Sequence, residues 1–235
     1  MKLENAVVFI TGANRGLGLA FAREALARGA RKVYAAARDP SKVTLPGVVP
    51  VKLDVTKADE VAAVVRDYKD VTVLINNAGI AEFGGFFAED SAASAQRMLE
   101  TNFFGPMRLT SAFAPVLAAN GGGAVMNVLS VASWINGPLL GAYGATKSAA
   151  WALTNGQRIE LAGQGTQVVG VHAGFIDTDL TTGIDAPKST PEAIVKASFD
   201  GLESGALQVL SDAISQQVHA GLSAKESVYL HPITR

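Results

Sequence analysis

Ala6-Val-Val-Phe-Ile-Thr-Gly-Ala-Asn-Arg-Gly-Leu-Gly18 is the stretch that decides the fold. Residues 6–11 are a short, apolar, β-branched run, which predicts a buried strand. Glycines follow at positions 12, 16 and 18. From 17 to 28 the apolar residues return at helical spacing, with Leu17, Phe21, Ala25 and Leu26 on one face. Strand, glycine-rich turn and helix in that order bring backbone very close to a ligand. Glycines remove the side chains that would stand in the way. The free N–H groups of the helix start offer positive partial charge to an anion such as a pyrophosphate. The stretch therefore predicts a dinucleotide-binding unit.

Working outward, strands and helices keep alternating. Strands are predicted over 32–37, 48–53 (closed by Asp54), 71–75, 124–129, 167–172 and 206–210. Helices are predicted over 57–68, 91–120, 142–161, 191–203 and 212–222, the second of these bent near Gly105-Pro106. Residues 225–235 match no element. This pattern specifies an α/β, Rossmann-like, doubly wound parallel sheet of about seven strands with helices on both faces. One domain is expected to span 1–235, a length that fits a single core.

Composition narrows the function. Hydrophobic residues make up 49%, and the formal net charge is −1 with its Lys and Arg dispersed, so there is no basic stripe for nucleic acid. There is no Cys, which excludes disulfides and thiolate metal sites. His172, His219 and His231 are far apart in sequence, so no metal is expected. No apolar run approaches a membrane span, and no signal peptide precedes the first strand. A cytoplasmic location is the expectation.

Chemistry concentrates between Ser130 and Lys147. Tyr143 and Lys147 are four apart in a predicted helix and share one face. A phenol ionises near ~10, and an adjacent ammonium favours the phenolate. Bringing it to neutrality takes roughly 3 units, about 4 kcal/mol, and gives a Tyr that passes protons at physiological pH. Ser130, thirteen residues earlier at a strand end, offers a hydroxyl to the same oxygen. An acidic residue that would bind a ribose 2′-OH belongs about 20 positions after the last glycine. That place is Ala37, followed by Arg38, and Arg15 lies inside the turn. Two guanidinium groups suit a 2′-phosphate. Each feature alone has a plainer reading: a solvated Tyr-Lys pair, surface arginines, a tight turn.

Together these residues resemble the short-chain dehydrogenase/reductase family over about residues 5 to 210. The carriers are Thr-Gly-x-x-x-Gly-x-Gly at 11–18, Asn-Asn-Ala-Gly at 76–79, Asn102, Ser130 and Tyr143-x-x-x-Lys147. The resemblance implies roles. Tyr143 is the general acid or base. Lys147 lowers its pKa and holds the nicotinamide ribose, Ser130 binds the substrate oxygen, and Asn102 fixes a water that reaches Lys147. Gly12, Asn14, Arg15, Gly16, Leu17 and Gly18 surround the pyrophosphate. Asp54 and Val55 meet the adenine, and Asn76, Ala78 and Gly79 the adenosine side. Gly174, Ile176 and Thr178 meet the carboxamide. Arg15 and Arg38 look like the NADP-preferring members.

The expected reaction is NADPH-dependent reduction of a ketone or aldehyde to an alcohol. The expected pocket is apolar: Phe83, Phe86, Phe87, Trp134, Leu139, Leu140 and Phe175. An apolar carbonyl compound fits it better than a sugar. An NAD-linked alcohol dehydrogenase, supported by Asp39, a sugar-nucleotide epimerase and a dinucleotide-sensing binding protein remain as alternatives. Two features depart from the family. Ala173-Gly174 stands where Pro-Gly is usual, which predicts a more mobile following loop. Ser211-Asp212-Ala213 replaces the usual glycine-rich strand end. Residues 102–119 and 142–161 carry apolar residues on more than one face, which predicts a homodimer or homotetramer.

Overall fold

The predicted first strand, β1 (Val7–Thr11), lies inside a parallel sheet in the computed structural model, which describes residues 1–230. The others are β2 (Lys32–Ala37), β3 (Val49–Lys52), β4 (Val73–Asn76), β5 (Ala124–Val128), β6 (Gln167–His172) and β7 (Gln208–Leu210). Their order is β3-β2-β1-β4-β5-β6-β7, every neighbouring pair parallel. The chain winds outward from β1 in both directions, so the order reverses between β1 and β4.

Side chains of a strand alternate between faces, and here both faces are covered. Val8, Ile10, Val33, Ala35, Val73 and Ile75 face α1 (Gly16–Ala27) and α6 (Pro191–Ser204). Phe21 meets Phe199 edge-on at 5.4 Å there. Val7, Phe9, Tyr34 and Leu74 face the other layer, α2 (Ala58–Asp67), α4 (Gly105–Ala119) and α5 (Gly141–Glu160). Phe9 lies at the centre of that layer, 5.2 Å from Phe113 and 5.9 Å from Tyr68 between ring centroids.

The bend expected near Gly105-Pro106 takes a different form. α3 (Ser91–Leu99) passes through one π-helical stretch, Glu100–Phe104, and continues as α4. The N–H of Gly105 reaches back to the Glu100 carbonyl, and Pro106 has no N–H to give Asn102. α7 (Ala213–Gly221) closes the described chain, followed by a short turn, Val228–Leu230. The rest of the unassigned tail, 231–235, and with it His231, lies outside the described residues.

Candidate active site

A cavity of about 1520 Å³ opens at the carboxyl ends of the strands, beside the reversal of strand order. Its floor is the glycine turn. Gly12 and Gly16 have φ of +66° and +52°. A Cβ on Gly18 would stand 2.1 Å from the Gly12 carbonyl oxygen, so only hydrogen fits. The turn is tied to the end of β4. The Thr11 hydroxyl accepts the N–H groups of Asn77 (3.0 Å) and Ala78 (2.9 Å), and the Asn77 amide donates to the Thr11 carbonyl (2.8 Å). Asn14, Arg15, Gly16, Leu17, Ala78 and Gly79 all line the cavity.

Arg38 and Lys42 stand together on the wall just beyond β2, with Asp54 and Val55 beyond β3. Burial pushes the Asp54 carboxyl up. Donation from the N–H and hydroxyl of Thr56, with the charges of Arg38 and Lys57, outweighs this and holds it below the usual range. Asp39 does not face a ribose freely. Its carboxylate takes the Ser41 N–H (3.1 Å) and hydroxyl (2.6 Å) and lies 3.9 Å from Lys42. Arg15, on the same cavity, forms an ion pair with Asp179 at 2.6 Å.

Ser130, Tyr143 and Lys147 share one wall. Ser130 leaves β5 in an extended conformation, and its hydroxyl accepts the Ala132 N–H at 3.1 Å, donates to the Ala173 carbonyl at 3.4 Å and lies near enough to the Tyr143 phenol to favour its ionised form. Lys147, buried beneath, donates to the Val128 carbonyl at 2.9 Å and sits 5.8 Å from the Tyr143 ring centroid. The phenol pKa is not lowered as expected. Burial pushes it up to about 12, and the Ser130 hydroxyl recovers only part of that. Lys147 is itself pushed down to about 8 by burial, and its ammonium is aimed at a backbone carbonyl.

Five residues expected at the site lie off the cavity wall. Asn76 is buried off the wall, because its face of β4 points at α4. Its amide bonds Thr110 (3.1 Å) and Asn127 (2.8 Å). Asn102 is buried too: its amide donates to the Ile80 carbonyl (2.9 Å) and Thr146 (3.0 Å), and its Oδ1 accepts the Ile80 N–H (2.9 Å). Phe86 and Phe87 are exposed on their loop, off the cavity. Trp134 stacks on His172 instead of lining the pocket. Phe83, Leu139, Leu140 and Phe175 do line it, joined by Ile135, Pro138, Ile184 and Ile214. Lys42 could have been noticed four residues after Arg38. Nothing in the sequence marks Ile214, which reaches the site from α7.

The loop after β6 carries Gly174, Ile176 and Thr178 along the cavity. Its start is tied to α7. Asp212 accepts the Gly174 N–H at 2.7 Å while capping α7 through the Ser215 N–H at 2.8 Å. A Cβ at 174 would stand 2.2 Å from Ile214 Cγ2.

The short chain dehydrogenase family model matches residues 6–189, which span all of these groups up to the loop after β6. The chain belongs to the short chain dehydrogenase family. A crystal structure of a short chain dehydrogenase from Burkholderia cenocepacia in complex with NADP is 38% identical with a TM-score of 0.92, covering 96% of this chain and 95% of that one. A short-chain dehydrogenase from Sphingobium yanoikuyae in complex with NADPH is 28% identical with a TM-score of 0.79, covering 92% of each. The ketoacyl reductase HetN of Nostoc is 32% identical over 219 residues, 83% of this chain and 76% of HetN. Some other curated dehydrogenase relatives are longer, and the chain spans 44% and 55% of two of them. Among the described residues no helix is long and apolar enough to cross a membrane, and no cluster of three metal-ligating side chains occurs.

Proposed function

We propose that this short chain dehydrogenase reduces an apolar ketone or aldehyde to the alcohol with NADPH. The observation that carries the reading is the placement of Ser130, Tyr143 and Lys147 on one wall of a cavity whose floor is the glycine turn. The residues present fit a dinucleotide. The crowded Gly18 leaves the start of α1 open to a pyrophosphate, with Gly12, Asn14, Gly16 and Leu17 around it. Asp54 and Val55 would take the adenine, Ala78 and Gly79 the adenosine side. Tyr143 and Lys147 would take the nicotinamide ribose, and Gly174, Ile176 and Thr178 the carboxamide. Arg38 and Lys42 would hold a 2′-phosphate, and the commitment of Asp39 to Ser41 weighs against NAD. The NADP-bound and NADPH-bound relatives support the same choice.

When bound, NADPH would supply the hydride. Ser130 holds the substrate oxygen against Tyr143. A phenol pushed up to about 12 is protonated at neutral pH, which suits a donor to the alkoxide formed in reduction. The Lys147 ammonium stabilises the phenolate left behind. Phe83, Ile135, Leu139, Leu140, Phe175 and Ile214 exclude water from the exchange. A disulfide-free location such as the cytoplasm suits a chain without Cys. The test is a spectrophotometric screen of NADPH oxidation against ketones, aldehydes and keto sugars, repeated with NADH. Turnover of apolar carbonyl compounds with NADPH preferred is expected. Turnover confined to keto sugars, or equal efficiency with both cofactors, would contradict the corresponding half of the proposal.

A further inference from the structure

One buried titratable group beside the site has no part in the chemistry above. His172, the last residue of β6, is fully buried. Its Nδ1 lies 3.1 Å from the Ser130 carbonyl oxygen. A carbonyl only accepts, so Nδ1 carries the hydrogen and Nε2 is bare. Among the described residues Nε2 has no partner, and neither does the Trp134 indole N–H. The Trp134 ring lies nearly flat on the imidazole, centroids 3.8 Å apart at 17°, and meets His219 of α7 at 5.2 Å. Burial pushes His172 down to about 4, against the Ser130 carbonyl and with the help of the charges of His219, Lys147 and Arg158. The ring is therefore neutral near pH 7, with Nδ1–H as its one donor.

The Ser130 carbonyl also accepts the Ser133 N–H at 3.0 Å, which closes the local turn. His172 supplies the only side-chain bond to it among the described residues, and that bond comes from the neighbouring strand. The Ser130 hydroxyl is one rotatable bond from this backbone. A shift of the carbonyl would move the hydroxyl relative to Tyr143, and small misplacements of reacting groups are costly.

We propose that His172 is a positioning residue: its Nδ1–H, held in plane by Trp134, fixes the Ser130 backbone and so aims the Ser130 hydroxyl at the oxygen shared with Tyr143. This rests on the reading of Ser130 and Tyr143 as the reacting pair.

Three variants separate the roles. His172→Asn keeps a donor near the Nδ1 place, His172→Gln moves it outward by a methylene, and His172→Leu removes it. With NADPH and the best ketone of the screen, Gln and Leu should lower kcat about 10-fold and Asn should come near wild type. KM for NADPH should stay within about 2-fold in all three, since the hydrogen bond does not face the dinucleotide wall. In a Ser130→Ala background, His172→Leu should cause no further loss, because effects acting through one group are not additive. A loss of equal size in both backgrounds, or an Asn variant as slow as Leu and Gln, would overturn the inference. If the Leu variant does not fold, Asn against Gln decides. Nitrogen NMR of the resting protein gives a readout without turnover: an Nδ1–H tautomer is expected, and an Nε2–H tautomer rules the proposal out. Tyr143→Phe is run alongside. Full activity there would overturn the reading of the reaction and this inference with it, whereas additive His172 and Ser130 effects with Tyr143→Phe inactive would sink the inference alone.

Discussion

Tyr143 and His172 show how burial decides the behaviour of single groups in this protein. The Tyr-Lys spacing was legible because four residues is one helical turn, and both side chains do share a wall. The direction of the phenol shift was not, because spacing says nothing about desolvation, which pushes Tyr143 up to about 12. Lys147, pushed down to about 8, is charged below that pH and neutral above it. Reductive kcat should therefore be flat below about pH 8 and fall above it; a rise across that range would contradict the role given to the ammonium. His172 has a folded value of about 4 against an ordinary 6.5. Between those pH values the unfolded chain binds a proton that the folded one refuses, so stability falls as pH drops through the window. The loss amounts to roughly 3 kcal/mol when complete. Denaturant unfolding at a series of pH values should show this slope, and His172→Asn should flatten it. An unchanged slope in the variant would assign the effect to other groups.

At the scale of elements, the glycine turn and strand ends carried most of what could be read. Strand, turn and helix around 11–18 lie where the sequence puts them, because glycine spacing and apolar periodicity are local signals. Asn76 was misplaced for a related reason. A motif names four residues, but strand alternation sends Asn76 to the α4 layer and leaves Asn77, Ala78 and Gly79 at the cavity. The contribution of α7 was illegible, since Asp212 and Ile214 act on Gly174 across a separation that no local pattern spans. Gly18→Ala should cost about 1–3 kcal/mol of stability by overpacking and weaken NADPH binding, measured by melting with and without cofactor. Arg38→Asp should reduce the preference for NADPH over NADH by about 10-fold or more, a charge-assisted hydrogen bond being worth 1.5–3 kcal/mol. Unchanged ratios of kcat/KM would remove Arg38 from the 2′-phosphate.

For the whole molecule, the doubly wound sheet was legible because alternation of strand and helix leaves few ways to cover both faces. Assembly turns on which apolar groups of the two long helices the sheet leaves uncovered. Phe113 of α4 is fully buried against Phe9, and Phe113→Ala should cost about 3–5 kcal/mol of stability. On α5 apolar groups do face outward: Trp151 and Ile159 are exposed. We propose that a second copy covers them, in a homodimer at least. Light scattering at micromolar concentration should give at least twice the chain mass, and a monomer mass would refute this. The central claim is that the chain reduces a carbonyl group with a proton from Tyr143. The most direct test is single-turnover oxidation of bound NADPH by an apolar ketone in wild type and Tyr143→Phe. The account predicts a fall of at least about 10²-fold with NADPH still bound; a rate near that of wild type would contradict it.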